Sequence, residues 1–267
     1  MGWNAKNGRV KFPDASMDYL RFGTGKQILI MLPGLGDGLR SIYGMALPMA
    51  FLYRMYAKDY TVYMFSRKSH MPRGCTTEDM ARHIAQAMDA LSIEKAHILG
   101  VSMGGMIAQH LAADYPEKVE KLVLVVTAPR PNPILTDSVT LWMEQAKSGD
   151  HTALMDSNLK RIYSENYYRK NKWMVPLVGK LTKPKSYERF LVMGQACLDH
   201  DASGKLASIT APTLVLGGGK DETLGGDASR ELAGAIPGAK LRIYEPWGHG
   251  LYEEAPEFHG DVLEFLR

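Results

Sequence analysis

Cysteine is scarce in this chain. Cys75 and Cys197 are its only two among 267 residues, and no Cys-x-x-Cys spacing occurs. That excludes a disulfide-stapled scaffold and a cysteine-based zinc module. A reducing cytoplasm is the expected compartment, and a Cys75–Cys197 bridge is not expected. Charge of one sign is also scarce: Lys and Arg outnumber Asp and Glu by 32 to 29, a net charge of +3. So small an excess gives no reason to expect a nucleic-acid partner. The chain has neither a run of 18 apolar residues nor a cationic, apolar leader with a small-residue cleavage site, so no membrane span and no export signal are expected. An apolar stretch that reaches Phe51-Leu52-Tyr53 is broken by Arg54 and Lys58. Internal repeats and low-complexity tracts are lacking too. With 45% hydrophobic and 23% charged residues, the chain is long enough to bury a substantial core in one domain.

Strand-like and helix-like segments alternate. Strand-like runs fall at Met17–Phe22, Gln27–Leu32, Thr61–Phe65, Ala96–Leu99, Leu122–Val126, Thr213–Leu216 and Leu241–Tyr244. Between them lie helical patterns. In the clearest, Glu78 to Leu91, Met80, Ile84, Ala87, Met88 and Leu91 share one stripe and Thr76 or Thr77 serves as cap. The alternation predicts an α/β fold, a mainly parallel central sheet flanked by helices on both faces.

Gly100-Val101-Ser102-Met103-Gly104 lies between the run ending at Leu99 and a small-residue helical pattern over Gly105–Ala113. A G-x-S-x-G between strand and helix places its serine on a sharp, strained turn with the hydroxyl pushed outward. Upstream, Ile28–Leu32 runs into Pro33-Gly34-Leu35-Gly36-Asp37-Gly38. Such a loop can bring a backbone N–H to a carbonyl oxygen; Leu35, with Met103 after the serine, makes a two-donor oxyanion hole. The same glycines could cradle a phosphate. No P-loop lysine follows them, however, and no complete G-x-G-x-x-G is present. Downstream, Asp221 follows the strand Thr213–Leu216, and His249 follows Leu241–Tyr244 within Trp247-Gly248-His249-Gly250. Both lie just past the carboxyl end of a strand, where open α/β sheets gather reactive groups.

On these residues the chain resembles the α/β-hydrolase family. Pro33-Gly34-Leu35-Gly36, Gly100-Val101-Ser102-Met103-Gly104-Gly105, the glycine-flanked Asp221, and Gly248-His249 with Glu254, Pro256 and Phe258 carry the likeness. It covers the whole length apart from one insert. The resemblance implies a catalytic triad in the order Ser102, Asp221, His249, with Glu222 as reserve acid. The chain departs from the family pattern at two places. Pro33 stands where many members have histidine, which leaves a backbone donor intact. After Phe65, where members often have Asp-x-Arg-Gly, Ser66-Arg67-Lys68 reads as a structural loop leading to Pro72-Arg73-Gly74.

The alternation stops after Val126, at the proline-rich Thr127–Pro133, and resumes near Ile209. The expected organisation is a hydrolase core, 1–129 and 203–267, with a helical cap over 130–202 inserted in the same domain. Trp142, Met143, Tyr167 and Trp173 are expected to line a substrate pocket beneath it, although most such residues in a cap simply hold helices together. The basic residues Arg169, Lys170, Lys172, Lys180, Lys183, Lys185 and Arg189 are expected to form a solvated face.

The expected function is a serine hydrolase cleaving a carboxylic ester of a small or medium substrate, without cofactor or metal. Lactone, thioester or carbon–carbon bond hydrolysis and cofactor-free perhydrolase or haloperoxidase chemistry use the same parts. Fold does not choose among them. A receptor-like relative with slow turnover is the alternative of another class. A haloalkane dehalogenase is disfavoured, because its nucleophile would be an aspartate where Ser102 stands.

Overall fold

A computed structural model describes residues 3–267. Eight strands form one sheet: β1 (Lys6–Lys11), β2 (Ser16–Phe22), β3 (Gln27–Leu32), β4 (Tyr60–Lys68), β5 (Ala96–Val101), β6 (Val119–Val125), β7 (Thr213–Gly218) and β8 (Lys240–Tyr244). Their order is β1-β2-β4-β3-β5-β6-β7-β8. The pairs from β4 through β8 are parallel; β1–β2 and β2–β4 are antiparallel. Every residue of β7 is buried, as are the first five of β5 and the last four of β6. Strands covered on both faces read as unbroken apolar runs, which is why these were recognisable in the sequence.

The helices are α1 (Ala46–Leu52), α2 (Thr77–Ala90), α3 (Met103–Asp114), α4 (Pro133–Ser148), α5 (His151–Ile162), α6 (Glu165–Asn171), α7 (Val175–Thr182), α8 (Glu188–Leu198), α9 (Ala228–Ala235), α10 (Leu251–Glu254) and α11 (Phe258–Leu266). Helices α4 to α8 all fall between β6 and β7, with no strand among them. Trp142 and Met143 of α4 and Phe190 and Met193 of α8 share a buried cluster with Met106 and Ile107 of α3, so this helical segment is continuous with the core. A second cluster on the other sheet face joins α1, α10 and α11 to the strands. Among the described residues, no helix is long and apolar enough to cross a membrane. Cys75 and Cys197 are both free and buried.

Two details differ from the sequence expectation, and a third decides between its alternatives. Strand β1, KNGRVK, buries only Val10, so no apolar signal announces it; its lysines suit a sheet edge. Thr76, not Thr77, caps α2: its hydroxyl accepts from Asp79 N while Asp79 bonds back to Thr76 N, and Leu91 falls just past the helix end. Ser66-Arg67-Lys68 is not a loop. β4 continues to Lys68 because Arg67, 2% exposed, has acceptors that permit its burial: its guanidinium donates to the Phe65 and Pro33 carbonyls, and its backbone N–H to Asp37 at 2.8 Å.

Candidate active site

Ser102 sits between β5 and α3 with φ 54° and ψ −122°. A positive φ in a non-glycine residue is a strained state that the surroundings must impose. Here they do. Ser102 N donates to Val125 O at 2.8 Å, and the Ser102 carbonyl accepts from Gly105 N at 2.8 Å. The flanking glycines have a steric reason. A Cβ on Gly100 would stand 2.5 Å from the Gly104 carbonyl oxygen, and one on Gly104 would stand 2.0 Å from that of Leu32.

The glycine-rich loop passes directly beside the serine. A Cβ on Gly34 would come within 3.3 Å of Ser102 Cβ and 3.7 Å of its Oγ. Leu35 opens a single helical turn, Leu35–Gly38, and Met103 opens α3. An N–H at a helix start has no intrahelical acceptor, so both amides are donors of the kind an oxyanion needs. The positive end of the α3 dipole lies at the same place.

Asp221 and His249 meet beyond the ends of β7 and β8. His249 Nδ1 lies 2.8 Å from Asp221 Oδ2, with residue exposures of 3% and 6%. The other carboxylate oxygen, Oδ1, accepts from Thr223 N at 2.8 Å and Leu224 N at 3.0 Å. These bonds fix the carboxylate so that it presents one oxygen to the imidazole. Glu222, its sequence rival, is exposed. The two loops are tied by Gly219 N to Tyr244 O at 3.1 Å and Lys220 N to Trp247 O at 3.0 Å. Other histidines have partners of their own. His200 Nδ1 lies 2.9 Å from Thr77 Oγ1, His151 Nε2 lies 3.2 Å from Thr182 Oγ1, and His259 Nδ1 lies 3.0 Å from the Tyr56 hydroxyl. His97 packs edge-on against Tyr60, and His110 against His200.

Sequence reasoning missed what holds the glycine-rich loop. Asp37, 4% exposed, accepts from Ser66 Oγ at 2.6 Å and Arg67 N at 2.8 Å, and it forms an ion pair with Arg189 of α8. Arg189 also donates to the carbonyls of Asp37, Arg67 and Lys68. Burial draws the Arg67 pKa down to about 10. Arg189 thus leaves the solvated basic face expected of it; Arg169, Lys170, Lys172, Lys180, Lys183 and Lys185 are exposed. These partners come from β4, α8 and one loop, and no sequence spacing announces the cluster.

Of the four residues expected to line a pocket, Trp142 and Met143 are buried in α4 packing. Tyr167 is half-buried and stacked on Tyr163, with ring centroids 4.3 Å apart. Trp173 is 72% exposed. None of the four lines the cavity that Gly34 and Val101 border. Elsewhere, Glu78, His110 and Asp114 bring ligand-type atoms within 4.8 Å of one another. Lys205 Nζ stands 3.1 Å from Glu78 and 2.9 Å from Asp114, so an ammonium already balances that group.

Comparison with known proteins defines the class. The profile of the alpha/beta hydrolase fold matches residues 27–256, and the chain belongs to that family. It is 31% identical over 261 residues to a 2-hydroxy-6-oxononadienedioate/2-hydroxy-6-oxononatrienedioate hydrolase from Burkholderia vietnamiensis, covering 92% of this chain and 88% of that one. Among solved structures, the enol-lactonase from Burkholderia xenovorans superposes with a TM-score of 0.81 at 24% identity, covering 97% of this chain and 99% of its own. An alpha/beta hydrolase from a deep-sea metagenome library superposes at 0.84, also at 24% identity, covering 97% of each chain. The chain is a hydrolase of this fold.

Proposed function

We propose that the chain is a serine hydrolase that cleaves a carboxylic ester of a small or medium molecule through an acyl-enzyme. The observation that carries this reading is the buried Asp221–His249 pair at the same sheet edge as the strained Ser102. A serine hydroxyl is a poor nucleophile at neutral pH and needs a base as it attacks. His249 takes the Oγ proton on Nε2 and returns it to the leaving group. Asp221, accepting from Nδ1–H, holds the tautomer and stabilises the imidazolium. The Leu35 and Met103 amides receive the developing oxyanion; one such donor is worth about 3 kcal/mol of barrier. Water then clears the acyl group. These side chains and amides supply every proton and charge that acyl transfer needs, so no cofactor or metal is invoked.

Residues 130–202 are read as a cap on the same domain, with 1–129 and 203–267 as the core. Two free, buried cysteines suit a reducing cytoplasm. A second reading, hydrolysis of a lactone or a carbon–carbon bond by the same groups, draws on the names of the relatives, a 2-hydroxy-6-oxononadienedioate/2-hydroxy-6-oxononatrienedioate hydrolase and an enol-lactonase.

Steady-state assay on p-nitrophenyl esters, lactones and a 2-hydroxy-6-oxo-dienoate decides among them. Turnover of the esters that is lost in Ser102→Ala and indifferent to chelator supports the first reading. Turnover confined to the dienoate or the lactone supports the second. Activity that survives Ser102→Ala in a folded protein contradicts both.

A further inference from the structure

The turn Lys172–Met174 runs directly into α7, and together they form one helical ridge. Its inner face is narrow. Val175 and Gly179 are buried, and a Cβ on Gly179 would stand 3.1 Å from Thr152 Oγ1 of α5. The outer face carries Trp173, Leu177 and Leu181, which are 72%, 61% and 77% exposed. A spacing of four residues stacks side chains on successive turns, so the three make one apolar row pointing away from the protein. Large apolar side chains left contiguous and uncovered mark a surface that meets something else.

Charge surrounds the row and is all of one sign. Between Glu165 and Glu188 the chain holds Arg169, Lys170, Lys172, Lys180, Lys183 and Lys185 and no acidic residue. All six are exposed. Lys183 Nζ donates to the Gly149 carbonyl at 2.9 Å, and Lys172 Nζ lies 5.7 Å from the centre of the Tyr168 ring. Among the described residues, none of the six pairs with a carboxylate. With these six set aside, the remaining 26 Lys and Arg are outnumbered by 29 Asp and Glu, so the positive surplus of the whole chain resides here. Lys180, seven residues past Trp173 and three past Leu177, stands beside the apolar row.

We propose that this face docks on the surface of an anionic lipid bilayer. Trp173, Leu177 and Leu181 enter the headgroup boundary, and the six cations lie against the lipid phosphates and carboxylates around them. Helices that lie in a membrane surface combine an apolar row with Lys- and Arg-rich flanks in this way, and tryptophan favours that depth. Lysine stems can follow the apolar boundary while their ammonium groups stay at headgroup level. A second copy of the chain suits the face poorly, because two sets of uncompensated cations would meet. A bilayer offers apolar depth to the row and negative charge to its flanks in one plane. Docking of this kind does not depend on the chemistry at Ser102, and no residue of the face belongs to the triad or the glycine-rich loop.

Co-sedimentation of the purified full chain with vesicles tests the proposal. One set is phosphatidylcholine alone; the other also contains phosphatidylserine. The chain should bind the mixed vesicles at least tenfold more tightly, because each cation near such a surface contributes about fivefold. Binding should weaken steeply as salt rises from about 0.05 to 0.5 M and the screening length shortens. Leu177→Ser with Leu181→Ser, and separately Lys172→Gln with Lys180→Gln, should each lower the partition at least tenfold. Neither pair should alter Tm or circular dichroism. Trp173 reports insertion: vesicles should shift the emission to the blue, brominated lipid should quench it, and both changes should be lost in Trp173→Phe. Equal affinity for the two kinds of vesicle, or binding to neither, would overturn the proposal. So would binding to mixed vesicles that both paired variants retain in full. A dimer that Leu177→Ser with Leu181→Ser abolishes, found without vesicle binding, would overturn it in favour of a second copy on this face.

Discussion

The sheet edge that bears Ser102, Asp221 and His249 and the helical segment from α4 to α8 are built differently. At the edge, Asp221 and His249 are buried, Ser102 is half-buried, and each is held by hydrogen bonds. Asp221 is fixed through both oxygens, Ser102 is pinned to β6, and the glycine-rich loop is tied to β4 by Arg67. In the helical segment, α6 and the turn after it bury no residue, and Trp173, Leu177 and Leu181 are more than half exposed. Its two flanking helices differ from that middle: α4 and α8 pack on the core, and Arg189 reaches from α8 to Asp37. The difference separates two tasks. Chemistry needs atoms held to a fraction of an ångström, whereas a cover needs only to exclude water and admit substrate.

Ser102→Ala presses hardest on the rigid side. Loss of the nucleophile should lower kcat by about four to six orders of magnitude, with His249→Ala about as damaging, because triad members act as a unit. Asp221→Asn should cost less, and Glu222→Gln should change kcat less than twofold; a severe Glu222→Gln would move the acid. Circular dichroism on each variant separates lost chemistry from lost fold.

Asp37→Asn tests whether the loop's anchoring matters to rate. Removing the charge leaves Arg67 and Arg189 facing a neutral partner, and breaking a buried pair costs about 3 to 5 kcal/mol. The expected result is a fall in Tm and a loss of kcat that exceeds the change in KM. An unchanged kcat would show that the glycine-rich loop holds itself.

His200 offers a smaller effect, read in stability. Burial holds its pKa near 3, below the ordinary 6.5. A group with a depressed folded-state pKa takes up its proton mainly on unfolding, so stability is complete above pH 6.5 and falls as pH drops toward 3. By pH 4.5 the loss from this group should reach roughly 3 kcal/mol. Urea midpoints at pH 7.0 and 4.5 should diverge less in His200→Gln; equal divergence would assign the acid sensitivity elsewhere.

The smallest effect is expected in the α4–α8 segment. Trp173→Ala should leave both Tm and the rate on the smallest ester nearly unchanged, because the side chain is 72% exposed. A large drop in either would show that the helical segment is held more tightly than its exposure indicates.

Legibility in the sequence follows the same division. β5, β6 and β7 were readable because double burial leaves continuous apolar runs, and Ser102, Asp221 and His249 because each follows a strand amid glycines that close packing demands. β1 was not readable: an exposed edge strand needs no apolar period. Arg67 looked like loop polarity because its acceptors, the Pro33 and Phe65 carbonyls, are supplied by backbone, which sequence does not display. The Asp37–Arg189 pair spans 152 positions, and the cavity beside Val101 is assembled from five separate segments.

The central claim is that Ser102 is a nucleophile activated by His249. Intact-mass measurement after brief exposure to a fluorophosphonate tests it most directly. The account predicts one adduct per chain, mapped to Ser102 by peptide sequencing, lost in Ser102→Ala and greatly slowed in His249→Ala. An unmodified protein, an adduct at another residue, or labelling that proceeds undiminished in His249→Ala would contradict it.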